Sequence, residues 1–170
     1  KMYKNGFTKK NRLLVIGGGI IQDLSSFTAA IFKRGINWIF LPTTLLSMSD
    51  SCIGSKMGIN HNNAKNQIGL FYPPSEVIIS YKFLETLDNR EIRSGFGEII
   101  KLYATGGRYF FDEYITYKNF DDMTPKEAIK CLYFSLLIKK EIIEYDEFEF
   151  NVRKSLNYGH TFGHALEVLV

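Results

Sequence analysis

Apolar residues occur along the chain first in short continuous runs and later at helical spacing. Residues 12–16 form a short β-rich run that ends in three glycines, and residues 20–32 follow with the apolar spacing of a helix that packs on a sheet. Residues 37–41, closed by Pro42, and residues 77–79 are two further runs of the strand type. This alternation predicts parallel strands joined through a right-handed βαβ crossover, which belongs to the α/β class.

The pattern changes twice after the second run. Residues 50–69 are rich in glycine, asparagine and lysine and have no clear apolar period, so they predict a loop. Residues 88–91 and 124–127 each begin with a capping side chain and place a glutamate three positions later. These caps predict helices over about 88–104 and over 125–145. Because no strand pattern follows, we predict an α/β part over residues 1–90 and an all-helical part over residues 91–170.

Both ends of the chain interrupt a structural pattern. The chain enters a strand of the buried type soon after Lys1, and it stops inside an apolar run at Val170 without a helix stop signal. We therefore expect both parts to be incomplete, with another βαβ unit before Lys1 and more helices after Val170.

Composition narrows the function classes. The chain of 170 residues is 45% hydrophobic, and its net charge of +3 comes from 21 basic and 18 acidic residues that are well mixed. Such mixing forms no basic face for nucleic acid, although a small anionic substrate fits it. Cys52 and Cys131 are far apart, the residues after Lys1 show no signal-peptide pattern, and the apolar runs are shorter than a membrane span. We expect a cytoplasmic protein that binds neither nucleic acid nor membranes.

Two of the three histidines, His160 and His164, lie four residues apart, a spacing that stacks both rings on one helix face. Glu98 and Lys101 form a second pair one helical turn apart. Glu98 and His160, with His164 nearby, could form a catalytic zinc site with an open position for substrate. Histidines at this spacing are often not ligands, however, and the cations of the helical part could equally be solvated, so the spacing leaves both interpretations open.

A possible phosphate site lies at the ends of the first two strands. Gly18 and Gly19 open the first predicted helix, and Thr43 and Thr44 follow the second strand. The carboxyl ends of parallel strands meet at one edge of a sheet, so these residues should converge, with backbone N–H groups turned toward a ligand. The glycine motif alone is weak because Gln22 stands where the dinucleotide fingerprint has its last glycine.

An ordered set of motifs lies at residues 18–24, 34–35, 42–46, 50–51, 54–56, 58–61, 65–69, 97–101 and 156–165. This set resembles one enzyme family, 3-dehydroquinate synthase and its sugar-phosphate cyclase relatives. The resemblance runs from about residue 12 to the end of the chain, in the same order and at nearly the same spacing.

The resemblance implies a Rossmann-like NAD-binding part followed by an all-helical metal and substrate domain. It implies that the following residues contact NAD: Gly18, Gly19, Ile20, Ile21, Gln22, Asp23, Thr43, Thr44, Leu46, Lys56, Lys65, Phe83, Leu84, Glu85 and Thr86. It also implies that Glu98 and His160 bind a divalent metal, zinc or alternatively cobalt, with a third histidine ligand expected past Val170. His164 would then face the substrate.

The resemblance further implies an anionic sugar-phosphate substrate and a homodimer. The positions that match substrate-binding or catalytic residues are Arg34, Asp50, Lys56, Asn66, Lys101, Lys139, Arg153, Asn157 and His164. The family reaction oxidises a ring hydroxyl transiently with NAD, eliminates phosphate, returns the hydride and closes a carbocycle by an intramolecular aldol step. The product of the shikimate-pathway member is 3-dehydroquinate.

Departures from the family pattern leave other interpretations open, and one of them is the segment 102–111, which is unlike the typical sequence after Lys101. Gln22 replaces the usual glycine before Asp23, and Ser55 replaces a glycine before Lys56. A larger side chain in either loop could shift cofactor or substrate, as in a relative that acts on sedoheptulose 7-phosphate. A metal-dependent alcohol dehydrogenase of the same architecture is a second alternative, and a non-catalytic binding module is a third.

Overall fold

The computed structural model describes residues 1–62, 64–115 and 123–167. A parallel sheet contains strands β1 (Leu13–Gly17), β2 (Trp38–Pro42) and β5 (Glu76–Val77) in the order β1-β2-β5. Helix α1 (Gly19–Ile31) connects β1 to β2, which pair in register with Val15 opposite Phe40. The βαβ unit predicted from the apolar runs is therefore confirmed, although β5 is shorter than the run at 77–79 suggested.

The sheet is stabilised by a core that includes α1. Val15, Ala29, Trp38 and Phe40 are all nearly inaccessible to solvent, and Cys52 from the chain after β2 joins them. The side chains of β2 alternate between buried and half-buried, which is the period expected of a strand with one face on the core. This packing fixes the position of the turn between β1 and α1 relative to the end of β2.

The segment predicted to be a loop contains an antiparallel hairpin instead. Strand β3 (Lys56–His61) pairs with β4 (Ala64–Phe71), and Gly58 lies opposite Gly69. A Cβ atom at Gly69 would lie 2.4 Å from the Met57 carbonyl oxygen, so glycine permits a close approach of the two strands here. The prediction was wrong because β4 is largely exposed and lacks the apolar alternation that identifies a half-buried strand.

The second part of the structure is helical. It contains α2 (Asn89–Thr105), α3 (Arg108–Ile115), α4 (Pro125–Tyr145) and α5 (His160–Glu167). Asp88 caps α2 by accepting a hydrogen bond from the Arg90 N–H at 2.7 Å. Thr124 and Glu127 form a reciprocal capping box at the start of α4. Both helix starts were predicted correctly, whereas the division into two domains near residue 90 stays a prediction. No helix of the described residues combines the length and apolarity needed to span a membrane.

A π-helical turn over Ser47–Ser51 connects the two parts. Leu45 and Met48 are buried in a core with Ile99 of α2 and Ile138 of α4. Gly95 allows α2 to approach closely, since a Cβ there would lie 2.5 Å from the Leu46 backbone nitrogen. The packing of this turn on both helices positions its last residues beside the helical part.

Candidate active site

A cavity of about 650 Å³ lies between the β3–β4 hairpin, the π-helical turn and the helical part. It brings together residues that are far apart in sequence. Most of the predicted substrate-binding and catalytic residues line it, namely Asp50, Lys56, Asn66, Lys101, Lys139, Arg153 and Asn157. Asp23 and His160 also line it.

Lys139 and Asp50 form a buried ion pair at the base of the site. The Lys139 Nζ atom lies 2.8 Å from Asp50 Oδ1 and also donates a hydrogen bond to the Asp50 main-chain carbonyl. Burial by itself raises the pKa of Asp50, but the Lys139 ammonium, with smaller contributions from Lys101 and Arg153, holds the pKa below its usual range. Asp50 is therefore an anion at neutral pH, fixed between cations.

Arg153 is buried and connects two loops. Its guanidinium donates hydrogen bonds to the main-chain carbonyls of Glu147 and, at 2.8 Å, of Gly54. The backbone N–H of Arg153 donates to the Asp146 carboxylate, which also accepts from the backbone N–H groups of Phe150 and Asn151. These N–H groups lower the pKa of Asp146 in spite of its burial. The carboxylate at the end of α4 thus orders the loop that presents Arg153.

Glu149 is a cavity residue that the sequence did not identify. Its carboxylate forms an ion pair with Lys56 and accepts a hydrogen bond at 2.5 Å from the Asn157 side-chain amide. Burial raises the pKa of Glu149, but the bonds from Lys56 and Asn157 outweigh it, so the pKa is lowered. Its backbone is in the left-handed region with φ of 64°. Nothing in the spacing of Glu149 distinguishes it from the neighbouring acids, so contacts alone identify it.

The predicted metal ligands Glu98 and His160 lie close together. The Glu98 Oε2 atom is 3.9 Å from His160 Nε2, and Lys101 Nζ is 3.3 Å from the same nitrogen. Lys101 also forms an ion pair with Glu98 one helical turn away, although the buried Oε1 atom makes no hydrogen bond of ordinary geometry within the described part of the chain.

A carboxylate and an imidazole at this separation could both coordinate one divalent ion. Among the described residues no group of three or more histidine, cysteine or acidic side chains could complete a metal site. The Lys101 ammonium lies beside these two residues and adds a positive charge to the site. The structure thus brings together the two predicted ligands and no third one from the residues described.

The glycine turn after β1 fits an anionic group. Gly18 is the N-cap of α1, and no side chain caps this helix. A Cβ at Gly18 would lie 2.8 Å from the Thr44 methyl carbon, whereas one at Gly19 would meet nothing within 4 Å. The Thr43 N–H donates to the Gly17 carbonyl at 3.0 Å, which holds the two strand ends together. The first turn of α1 thus has no side-chain cap among the described residues and has open space at Gly19, which is compatible with a bound phosphate.

Several predicted residues lie elsewhere in the described structure. Arg34 is exposed after α1, in the left-handed region with φ of 62°, and is not part of the cavity wall. Lys65 is exposed on β4, and Leu46 lies beside Gly95 of α2. The predicted NAD contacts Phe83, Leu84, Glu85 and Thr86 lie in a 3₁₀ helix over Tyr81–Thr86, where Phe83 and Leu84 pack on the helical core. The side chain of His164 lies outside the described residues.

Gln22 and Ser55, which depart from the family pattern, are both buried. Gln22 is buried and forms hydrogen bonds with Ser51, while the adjacent Asp23 accepts a hydrogen bond from the Gly58 N–H at 3.3 Å. Burial raises the pKa of Asp23 more than this bond lowers it. Ser55 adopts a left-handed backbone with φ of 57° and donates to Glu147 at 2.8 Å. Neither side chain projects into the cavity, so neither reduces the space for a ligand.

Comparison with known proteins assigns both halves of the chain. The profile of the 3-dehydroquinate synthase N-terminal domain matches residues 1–94, and that of the C-terminal domain matches residues 95–170. The 3-dehydroquinate synthase of Streptococcus equi subsp. equi is 41% identical over 99% of this chain and 46% of the relative. That of Dictyoglomus turgidum is 48% identical over 94% of this chain and 45% of the relative. The chain spans about half the length of the curated relatives it matches.

Solved cyclases share the fold. A 2-deoxy-scyllo-inosose synthase complexed with carbaglucose-6-phosphate, NAD⁺ and Co²⁺ has a TM-score of 0.86 at 26% identity, over 98% of this chain and 46% of that one. The 2-epi-5-epi-valiolone synthase of Streptomyces hygroscopicus subsp. jinggangensis, with NAD⁺ and Zn²⁺ bound, has a TM-score of 0.77 at 29% identity. The match covers 95% of this chain and 46% of that one. The α/β part with its parallel sheet and the helices that follow it are therefore those of the sugar-phosphate cyclases.

Proposed function

Because the chain belongs to the 3-dehydroquinate synthase family, we propose that the full-length protein converts 3-deoxy-D-arabino-heptulosonate 7-phosphate to 3-dehydroquinate and phosphate. The observation that carries this proposal is the convergence of Lys56, Lys101, Lys139 and Arg153 on the cavity that also contains Asp50. A substrate with a phosphate and a carboxylate needs several fixed cations, whereas a simple alcohol does not. The same convergence favours a cyclase over an alcohol dehydrogenase.

NAD and a divalent metal are part of the proposal. When bound, NAD would supply a reversible hydride acceptor, and a divalent metal would polarise the hydroxyl oxygen on the ring carbon that is oxidised. The turn at Gly18 and Gly19 would hold the dinucleotide phosphates, with Thr44 beside it. Glu98 and His160 would hold the metal, for which the cyclase structures with Zn²⁺ and Co²⁺ provide support.

Arg153 and Lys56 would bind the anionic groups of the substrate. The Arg153 guanidinium is held by the carbonyl oxygens of Glu147 and Gly54, so it loses little conformational entropy on binding an anion. Lys56 has a side chain that is 51% exposed, and its ammonium retains donors beyond the one that Glu149 occupies. Together they place two cations, a guanidinium and an ammonium, in the wall of the cavity.

Asp50 would orient a substrate hydroxyl. Lys139 keeps its carboxylate ionised, so Asp50 is an acceptor only and selects a donor such as a ring hydroxyl. Lys101 would steady the Glu98 carboxylate and donate to a substrate oxygen near His160. In this arrangement the protein supplies orientation and electrostatic stabilisation.

A related cyclase that acts on sedoheptulose 7-phosphate is the alternative. Sequence identity favours the first assignment, because the dehydroquinate synthases quoted above are 41% and 48% identical, against 26% and 29% for the cyclases with other products. The carbaglucose-6-phosphate complex supports a small anionic sugar phosphate as substrate in either case. A cytoplasmic location and a homodimer stay predictions from the sequence.

The test is phosphate release by the full-length protein, with NAD and zinc, from the two sugar phosphates in parallel. We expect release from the heptulosonate phosphate and little from sedoheptulose 7-phosphate. The Arg153→Lys variant keeps a positive charge but loses the planar guanidinium, which can bond two carbonyl oxygens and an anion at once. Its KM for the substrate should therefore rise by about tenfold. Turnover of sedoheptulose 7-phosphate alone would assign the protein to the alternative.

A further inference from the structure

We propose that Gln22 is a positioning residue that holds the segment carrying Asp50 in the geometry the substrate requires. This inference rests on the proposed function. Gln22 is 5% exposed, and its amide bonds to Ser51 in both directions. Its Nε2 donates to the Ser51 carbonyl oxygen at 2.6 Å, and the Ser51 hydroxyl donates to its Oε1 at 2.7 Å. The buried amide is thus satisfied by one residue.

These bonds fix the backbone directly beside Asp50. Ser51 follows Asp50 at the end of the π-helical turn, and both residues line the cavity. On the helical side, Lys139 forms an ion pair with the Asp50 carboxylate and donates a hydrogen bond to the Asp50 carbonyl. On the sheet side, Gln22 forms hydrogen bonds with Ser51, the next residue. Asp50 is therefore held from both sides, and loss of one set of contacts lets its peptide rotate.

Gln22 acts from the helix turn assigned to the cofactor. Its backbone N–H donates to the Gly18 carbonyl at 3.0 Å, which places its Cα in the first turn of α1. Three other contacts hold the same loop from the helical part, through Lys139, Arg153 and Glu147. Gln22 thus connects the NAD-binding turn to the loop that faces the sugar phosphate.

Side-chain length and chemistry both matter at this position. Asparagine is one methylene too short to reach Ser51 from α1, and methionine has the length but neither the donor nor a comparable acceptor. Glutamate keeps an acceptor for the Ser51 hydroxyl but turns an oxygen toward the Ser51 carbonyl. Both glutamate and methionine are therefore predicted to function less well than glutamine at this position.

The test compares Gln22→Met and Gln22→Glu in the full-length protein. Loss of both bonds in Gln22→Met should lower kcat/KM for the sugar phosphate by about tenfold or more. The Kd for NAD should stay within about twofold, because the Gln22 side chain bonds to Ser51 and only its backbone forms part of the turn assigned to NAD. Adding Ser51→Ala to Gln22→Met should lower kcat/KM little further, since both changes remove the same contact.

Ser26→Ala is the matched control. Ser26 lies one turn further along α1, is also buried, and donates to the Tyr72 carbonyl at 2.9 Å. It should lower thermal stability without changing kcat/KM for the sugar phosphate. Gln22 is a structural residue of α1, and the inference is wrong, if Gln22→Met weakens NAD binding as much as it lowers kcat/KM. The same holds if kcat/KM of Gln22→Met stays within about twofold of the wild-type value.

Hydrogen exchange separates this inference from the proposed function. The Cys52 N–H donates to Ser47 and the Ile53 N–H to Asp50, so both report on the turn. In Gln22→Met these amides should exchange about tenfold faster, and in Ser26→Ala they should not. This result would stand even if the wild-type protein turned over neither sugar phosphate. Equal exchange rates in the wild type and Gln22→Met would overturn the inference whatever the substrate is.

Discussion

Removal of the Lys139 ammonium tests how strongly the cavity depends on one buried ion pair. The Lys139 side chain is 6% exposed and that of Asp50 is 24% exposed, with 2.8 Å between Nζ and Oδ1. Lys139→Met retains most of the apolar stem and removes the charge. The Asp50 carboxylate then loses its principal partner while it remains largely buried.

The magnitude follows from what Asp50 keeps. Breaking one side of a fully buried pair costs about 3–5 kcal/mol. Asp50 is partly exposed and retains the attraction of Lys101 and Arg153, so we expect a loss of about 2–3 kcal/mol in the free energy of unfolding. The double variant Asp50→Asn/Lys139→Met has no stranded charge and should recover about 1 kcal/mol of that loss.

The loss should depend on pH with a definite sign. Burial raises the pKa of Asp50, and the Lys139 ammonium outweighs it, so the folded-state pKa lies below the usual value. A carboxyl group of this kind stabilises the folded state above its unfolded pKa of about 3.9, and the contribution is lost as the pH falls through the folded-state pKa. The difference between wild type and Lys139→Met should therefore be complete at neutral pH and shrink below about pH 4.

Urea denaturation at neutral pH and at about pH 3.5 measures this difference. The control is Lys140→Met on the same helix, because Lys140 is exposed and its ion pair with Glu144 is 3.5 Å long. It should change the free energy of unfolding by less than about 0.5 kcal/mol. A loss in Lys139→Met no larger than in Lys140→Met, or a difference that does not shrink in acid, would refute the reasoning.

Three further predictions concern other parts of the site. Ser55→Ala loses the bond to Glu147 but keeps the left-handed backbone, so it should be less stable by about 1 kcal/mol, whereas Ser55→Gly relieves the backbone and should lie closer to the wild type in urea denaturation. His160→Ala should lose most of its bound zinc by elemental analysis, and Tyr158→Phe should keep it. Burial raises the pKa of Cys52 to about 12 and that of Cys131 to about 11, so neither thiol should react with a disulfide reagent at pH 8 until urea unfolds the protein.

Each of these outcomes can fail separately. Equal stability of the alanine and glycine variants at Ser55 would show that backbone strain there is negligible. Full zinc content in His160→Ala would remove His160 from the metal site. Rapid labelling of Cys52 in the native protein, located by mass spectrometry, would show that the turn beside Asp50 opens readily.

Several of the strands and helices that pack on a core could be predicted from local patterns, although α3 was not. The run before Gly17 and the capping box at Thr124 each define an element through an apolar period or a side-chain bond within a few residues. The β3–β4 hairpin could not, because its exposed and polar strands satisfy each other's backbone and bury little. A pattern that depends on burial cannot identify it.

The candidate site shows the same division. The resemblance implied that Asp50, Lys139 and Arg153 belong to one site, and the structure brings all three to one cavity, although their roles stay predictions. Glu149 and the contact from Gln22 to Ser51 were missed, since each depends on a partner brought near by the fold. In both cases the side chain looks like an ordinary polar residue until its neighbours are known.

Product identity tests the central claim most directly. The full-length protein with NAD and zinc would be given the heptulosonate phosphate, and product would be followed by NMR while NADH absorbance and free phosphate are recorded. We predict one 3-dehydroquinate for each phosphate released and no accumulation of NADH, because the hydride returns to the substrate. Stoichiometric NADH without a carbocyclic product would contradict the account and assign the protein to the dehydrogenases.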